Sequence, residues 1–265
     1  MAPTHENVAS ILELVDKEGD TYIMSSVLSE KYLGDVVQNN GKNDKNIQER
    51  MNRGRGAVNQ ICHLLEDLCL GSYYFEAANI LRDSLLLSSL LSNSESWYNL
   101  STIDIKYLES IDEQLIRRVF NAHSKTAIEF LYLESGNIPI RFLLKTRRLN
   151  FLWYILNEGE ETLLHKFFDA QCQNPVKSDW VNTVKQDLSD LELVMDFQEI
   201  KKMPKSRFKR IVKDKVRSKA LEYLLNLQKT HSKLSNLSYN EIKLQDYLRS
   251  NNSLTIKEKM LHICC

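Results

Sequence analysis

Four cations recur at every fourth position late in this 265-residue chain: Lys205, Lys209, Lys213 and Arg217. On a helix that spacing makes one row, and four like charges in a row repel one another. A polyanion laid along the row would relieve the repulsion and release its own counterions, which is the chemistry of phosphate-backbone binding. A second set, Arg141, Lys145 and Arg148, falls at i, i+4 and i+7 after Pro139, with Arg147 beside it. The same helix offers Phe142, Leu149, Trp153 and Leu156 to a core, so its other face can meet phosphates or acidic neighbours. The competing use of both sets is ion pairing inside the protein. For the later row, the internal alternative is docking against Asp187, Asp190, Glu192, Asp196 and Glu199, an acidic run without a base.

Catalytic chemistry finds less to work with. The six histidines are scattered, and His262-Ile263-Cys264-Cys265 supplies only part of the four ligands a zinc site needs. There is no GxSxG, HExxH, P-loop or dinucleotide fingerprint, and Arg53-Gly54-Arg55-Gly56 is too short to cradle a phosphate. The adjacent carboxylates Asp112-Glu113 and Glu160-Glu161 would point about 100° apart on a helix and are expected to be solvated surface. No catalytic residue, metal site, cofactor or small-molecule substrate is therefore expected.

The elements that must position the cations are helical. Hydrophobic residues make up 43 % of the chain, enough for a sizeable core, while eight Gly and four Pro are too few to turn many short strands. The expected fold is mainly α, a helical bundle with a small N-terminal antiparallel β-hairpin. Thr21 to Met24 and Lys31 to Val37 are the expected strands. Helices are expected from Asp44 to about Gly71, Phe75 to Leu91, Ile103 to Phe120, Lys125 to Glu134, Ile140 to Leu156, Thr162 to Gln171, Ser178 to Asp190 and Lys205 to Leu227. Gly54 and Gly56 inside the first imply a kink or a close backbone contact. Two weak helices are expected in the tail, near Tyr239 to Arg249 and Thr255 to His262.

The net charge of zero is unevenly spread, since Lys201 to Lys219 holds ten bases against the single acid Asp214. The opening residues have neither a basic nor an apolar signal region, no stretch has the roughly 20 apolar residues of a membrane span, and the five cysteines are an odd number. An intracellular location, cytoplasmic or nuclear, with no membrane partner is expected.

Four stretches in order carry a resemblance: Lys31-Tyr32-Leu33-Gly34-Asp35, Ser94-Glu95-Ser96-Trp97-Tyr98-Asn99-Leu100, Pro139-Ile140-Arg141-Phe142, and Arg147-Arg148-Leu149-Asn150-Phe151-Leu152. From about Thr21 to Leu227 the chain resembles the carboxy-terminal half of reverse transcriptases from non-LTR (LINE-like) retrotransposons. The resemblance implies a primer-grip strand at Tyr32, Leu33 and Gly34, thumb helices after it, and a Ser-Glu-x-Trp segment ending a thumb helix. The family's polymerases hold two Mg²⁺ with carboxylates that include an Asp-Asp turn, and this chain has no Asp-Asp pair. The longer members continue into Cys/His-rich sequence, where His262 to Cys265 would be a truncated beginning.

The expected organisation is a palm and primer-grip remnant over 1–40, thumb-like helices over 41–101, a helical connection over 102–200, and a basic helix with a weakly ordered tail over 201–265. The expected function is that of a non-catalytic reverse-transcriptase fragment. It would bind RNA or an RNA/DNA duplex through Tyr32, Leu33, Gly34, Arg141, Lys145, Arg148, Lys205, Lys209, Lys213 and Arg217. The alternative is a helical protein-interaction module or an inactive mobile-element relic.

Overall fold

A computed structural model describes residues 11–15, 21–25, 29–32, 35–38, 43–68, 70–231, 237–250, 255, 256, 258 and 259. It divides into two compact units, 1–50 and 51–265.

In the first unit, β1 (Ile11–Val15) pairs antiparallel with β2 (Thr21–Ser25), and β3 (Ser29–Tyr32) with β4 (Asp35–Gln38). The sequence predicted a single ribbon joining Thr21–Met24 to Lys31–Val37. Instead the apolar, β-prone run Ile11 to Val15 supplies the partner of the first segment, and the second is itself two strands, with Tyr32 opposite Asp35. Helix α1 (Asp44–Asp67) begins beside the second hairpin. The Asn46 side-chain oxygen accepts from the Val36 amide at 3.2 Å, Gln38 accepts from the Lys45 amide at 3.0 Å, and Arg50 pairs with Asp35.

The second unit is a helical bundle. After α1 come α2 (Tyr74–Leu81), a π-helical turn (Arg82–Leu86), α3 (Leu87–Leu90), α4 (Thr102–Val119), α5 (Ile128–Ser135) and α6 (Ile140–Asn157). Then follow α7 (Leu163–Gln173), α8 (Trp180–Asp190), α9 (Phe197–Lys202) and α10 (Lys205–Gln228). Starts are set by caps. Ser101 with Asp104 and Asp196 with Glu199 form reciprocal capping boxes, while Thr162 and Asp179 accept from the amides of His165 and Asn182. Helix α9 was not foreseen, because its acids look like an exposed run until Asp196 is recognised as a cap.

Helix α6 is the centre of the unit, packing against α4, α7, α8, α9 and α10. Its Ile140, Leu144, Leu149 and Leu152 are buried, as are Phe208, Val212, Val216, Ala220 and Leu224 along α10. Gly54 is a close contact point: a Cβ there would lie 2.9 Å from Ile111 and 3.0 Å from Leu90.

The expectation that Asp112 and Glu113 are solvated is corrected. Asp112 is fully buried, accepting from Arg82 Nε and Nη2 at 2.6 and 2.7 Å and from the Tyr132 hydroxyl at 2.9 Å, and Glu113 is half-buried. Arg82 also donates to the Ile138 carbonyl at 3.0 Å, so the π-helical turn starts on a satisfied buried ion pair.

The tail also differs from expectation. In place of a helix near Tyr239 to Arg249, an irregular strap runs over α5, with an antiparallel bridge between Ser135 and Leu244 and one 3₁₀ turn at Asp246–Leu248. Both Tyr239 and Tyr247 hydroxyls donate to Glu134, and the Gln245 amide donates to the Glu134 carbonyl at 3.1 Å. Ile242 and Leu248 are buried beneath it, and the Glu76 carboxylate accepts from the Ser250 amide at 3.1 Å. Gly136, with φ +74°, permits the approach, since a Cβ there would meet the Leu244 nitrogen at 2.2 Å. Of the second expected tail helix, Ile256, Glu258 and Lys259 are helical, and 260–262 lie outside the described residues. No helix among the described residues is long and apolar enough to cross a membrane.

Candidate nucleic-acid interface

The two basic sets have different fates. Those of α6 turn toward acids. Arg141 donates from Nε and Nη2 to the Glu109 carboxylate at 2.7 and 2.6 Å, and its guanidinium lies 4.6 Å over the Tyr223 ring. Lys145 donates to Asp190 and lies 3.7 Å from Asp187. Arg148 is bidentate on Asp187 at 2.6 and 3.0 Å, with both side chains buried. Burial works against the Asp190 carboxylate, yet hydrogen bonds from Lys145 and Gln186 hold it below the ordinary range. Arg147 donates to the Leu91 carbonyl at 2.9 Å. The upper half of the acidic run is thus consumed by α6.

Its lower half does not reach the α10 row either. Asp196 and Glu199 cap α9, and Glu192 pairs with Lys219 at 2.5 Å, two residues beyond Arg217. Lys205, Lys209, Lys213 and Arg217 are all exposed, as are Arg207 and Arg210. None of these six forms an ion pair among the described residues, while Lys205 lies 5.4 Å over the Trp153 ring. Trp153 is itself anchored, its indole N–H donating to the Met203 carbonyl at 2.9 Å. The buried stripe of α10 explains the geometry: Phe208, Val212 and Val216 face inward, so the neighbouring Lys209, Lys213 and Arg217 stand at its edge toward water.

The row also begins where cations are least favoured. Helix α10 starts after Pro204 with no side-chain cap among the described residues, which leaves its positive dipole end and first-turn amides beside Lys205 and Arg207. Amides, dipole and side chains there all favour an anion.

Of the expected primer grip, Tyr32 ends β3 opposite Asp35, and Leu33 and Gly34 lie outside the described residues. Cys264 and Cys265, with His262, also lie outside them. Among the described residues no group of three or more His, Cys, Asp or Glu side chains could hold a metal ion. His165 is buried with its Nδ1 3.1 Å from the Ile155 carbonyl, a packed histidine at the start of α7.

The sequence reasoning missed what separates the two sets. Helix α8 lies against α6, and its Asp187 and Asp190 are three residues apart on the facing side. That spacing was visible, but the choice of neighbour belongs to the tertiary fold. No protein-family model, no curated protein and no solved structure matches the chain.

Proposed function

We propose that this chain binds the phosphate backbone of nucleic acid through the exposed face of α10, with Lys205, Lys209, Lys213 and Arg217 as the central row and Arg207 and Arg210 beside it. The observation that carries this is the row's exposure without ion pairs among the described residues, while the acidic run Asp187 to Glu199 is taken up by α6, by Lys219 and by the cap of α9. Asp214 on the helix itself and Glu241, whose carboxylate feels Arg217, offset only part of the charge. Arg141, Lys145 and Arg148 act within the protein, holding α6 to α4 and α8. A basic helix can also lie in a membrane surface, but that requires an apolar face free to enter the lipid. The apolar stripe of α10 is buried in the bundle, which favours a soluble polyanion.

Contacts of this kind fix position without reading sequence. The resemblance to the thumb region of non-LTR reverse transcriptases makes a primer–template duplex, RNA or RNA/DNA, the expected form, and a gripping, non-catalytic role the expected one. Titration with such duplexes of unrelated sequence tests it. Comparable affinities, all weakened by joint reversal of Lys209, Lys213 and Arg217 to Glu, are expected; affinity unchanged by the reversal contradicts it.

A protein-interaction role is favoured by a different observation. Leu163 and Phe167, one turn apart on α7, are exposed, as are Ile103 and Tyr107 on α4.

A further inference from the structure

A cleft of about 580 Å³ opens between α8, α6 and the start of α4, within the size range of small-molecule sites. Three cations line it, Arg148 of α6, Lys177 just before α8 and Lys185 on α8, against one acid, Asp187. Leu100 and Ile105 supply an apolar wall.

Arg148 distinguishes this cleft from a pair of surface lysines. Its side chain is only 8 % exposed, and its Nε and Nη2 are taken by Asp187 at 2.6 and 3.0 Å. That pairing cancels the Asp187 charge and fixes the plane of the guanidinium. The third nitrogen, Nη1, donates to nothing among the described residues and keeps surface open to solvent. A guanidinium nitrogen held in place at the edge of a buried side chain, with no acceptor of its own, suits an anion. Lys177 and Lys185 are exposed and form no ion pair among the described residues. The acids that follow Leu100 and Lys177 in the chain are occupied as caps. Asp104 accepts from the Ser101 amide at 2.9 Å, and Asp179 from the amides of Val176 and Asn182 at 2.8 and 2.7 Å.

We propose that this cleft binds a small phosphomonoester, with its phosphate among Arg148 Nη1, Lys177 and Lys185 and its organic part against Leu100 and Ile105. Three cationic donors match a phosphate dianion, which presents three acceptor oxygens, better than a carboxylate, which presents two. Because Asp187 already holds the guanidinium, little side-chain freedom is lost at Arg148 when the ligand arrives. The cleft shares no residue with the α10 row and does not depend on nucleic-acid binding.

Calorimetric titration of the full chain with ribose 5-phosphate, phenyl phosphate and inorganic phosphate, with ribose and succinate as controls, tests it. At least one of the two esters is expected to bind at millimolar concentration or below, more tightly than inorganic phosphate or succinate, and ribose not detectably. Lys177→Ala and Lys185→Ala are each expected to weaken ester binding about tenfold. Both lysines are exposed and unpaired, so these variants keep the fold, which Arg148→Ala need not. Joint reversal of Lys209, Lys213 and Arg217 to Glu is expected to leave ester binding unchanged, which separates the cleft from the basic row. No binding of either ester, succinate or inorganic phosphate binding as tightly as the esters, ester binding unchanged by both lysine substitutions, or its loss on reversal of the α10 row overturns the proposal.

Discussion

Arg148 and Lys209 carry the same charge and sit on similarly patterned helices, yet one is a structural residue and the other is free. Arg148→Ala would leave Asp187 buried without its bidentate partner, and unfolding is expected to become easier by about 3–5 kcal/mol, read from denaturant titration. Lys209→Ala removes an exposed, unpaired side chain and is expected to change stability by no more than about 0.5 kcal/mol. Comparable losses from the two substitutions would contradict the division of roles. Glu113 gives a pH-dependent case. Burial and then Glu109 raise its folded pKa above the unfolded value, so the folded state takes up the proton more readily. Its contribution to stability is complete below the unfolded value of about 4.3 and is lost as pH rises through the folded one. Glu113→Gln should therefore raise the melting temperature more at pH 7 than at pH 4; an equal or reversed effect would show that the charge is not strained. At this scale the sequence was informative about which residues are cationic and uninformative about their partners. Asp187 meets Arg148 across 39 positions and Arg82 meets Asp112 across 30, separations that local spacing does not encode.

Helix limits were the most legible feature, because caps and apolar spacing are local. The expected 140–156 and 205–227 stand against Ile140–Asn157 and Lys205–Gln228. The strap was illegible for the opposite reason. Its conformation is set by Glu134, Glu76 and the path opened at Gly136, all distant in sequence. Gly136→Ala forces a left-handed alanine, which alone costs about 1–2 kcal/mol, and drives a methyl group into the Leu244 backbone. It is expected to release the strap, seen as faster amide exchange at Leu244 and Gln245 with the α6 core still protected. Unchanged exchange there would mean that Gly136 does not govern docking. Helix α10 has its own internal cost, since like charges one turn apart destabilise it by a few tenths of a kcal/mol per pair. Lys213→Gln is expected to raise the melting temperature slightly at low salt while weakening polyanion binding, the pattern of a residue kept for contact rather than for folding.

Across the whole molecule, neutrality in sum hides a division of labour. Acids and bases of the central helices cancel inside the bundle, and an exposed basic face without ion pairs among the described residues remains along the first half of α10. The fold class was legible from composition, and the candidate site in part. The row on α10 was found because its spacing is regular, whereas the partners of the α6 cations, Glu109 on α4 and Asp187 on α8, come from separate helices and have no local signature. The most direct test of backbone binding by α10 is the affinity of the full chain for an RNA/DNA duplex across a salt series. Engagement of four phosphates by Lys205, Lys209, Lys213 and Arg217 gives a slope of log K against log salt of about −3.6. Joint reversal of Lys209, Lys213 and Arg217 should abolish most of it, and reversal of exposed Lys125, on the segment before α5, should not. Absence of binding at about 50 mM salt, or a slope unaltered by reversing the row, would contradict the assignment.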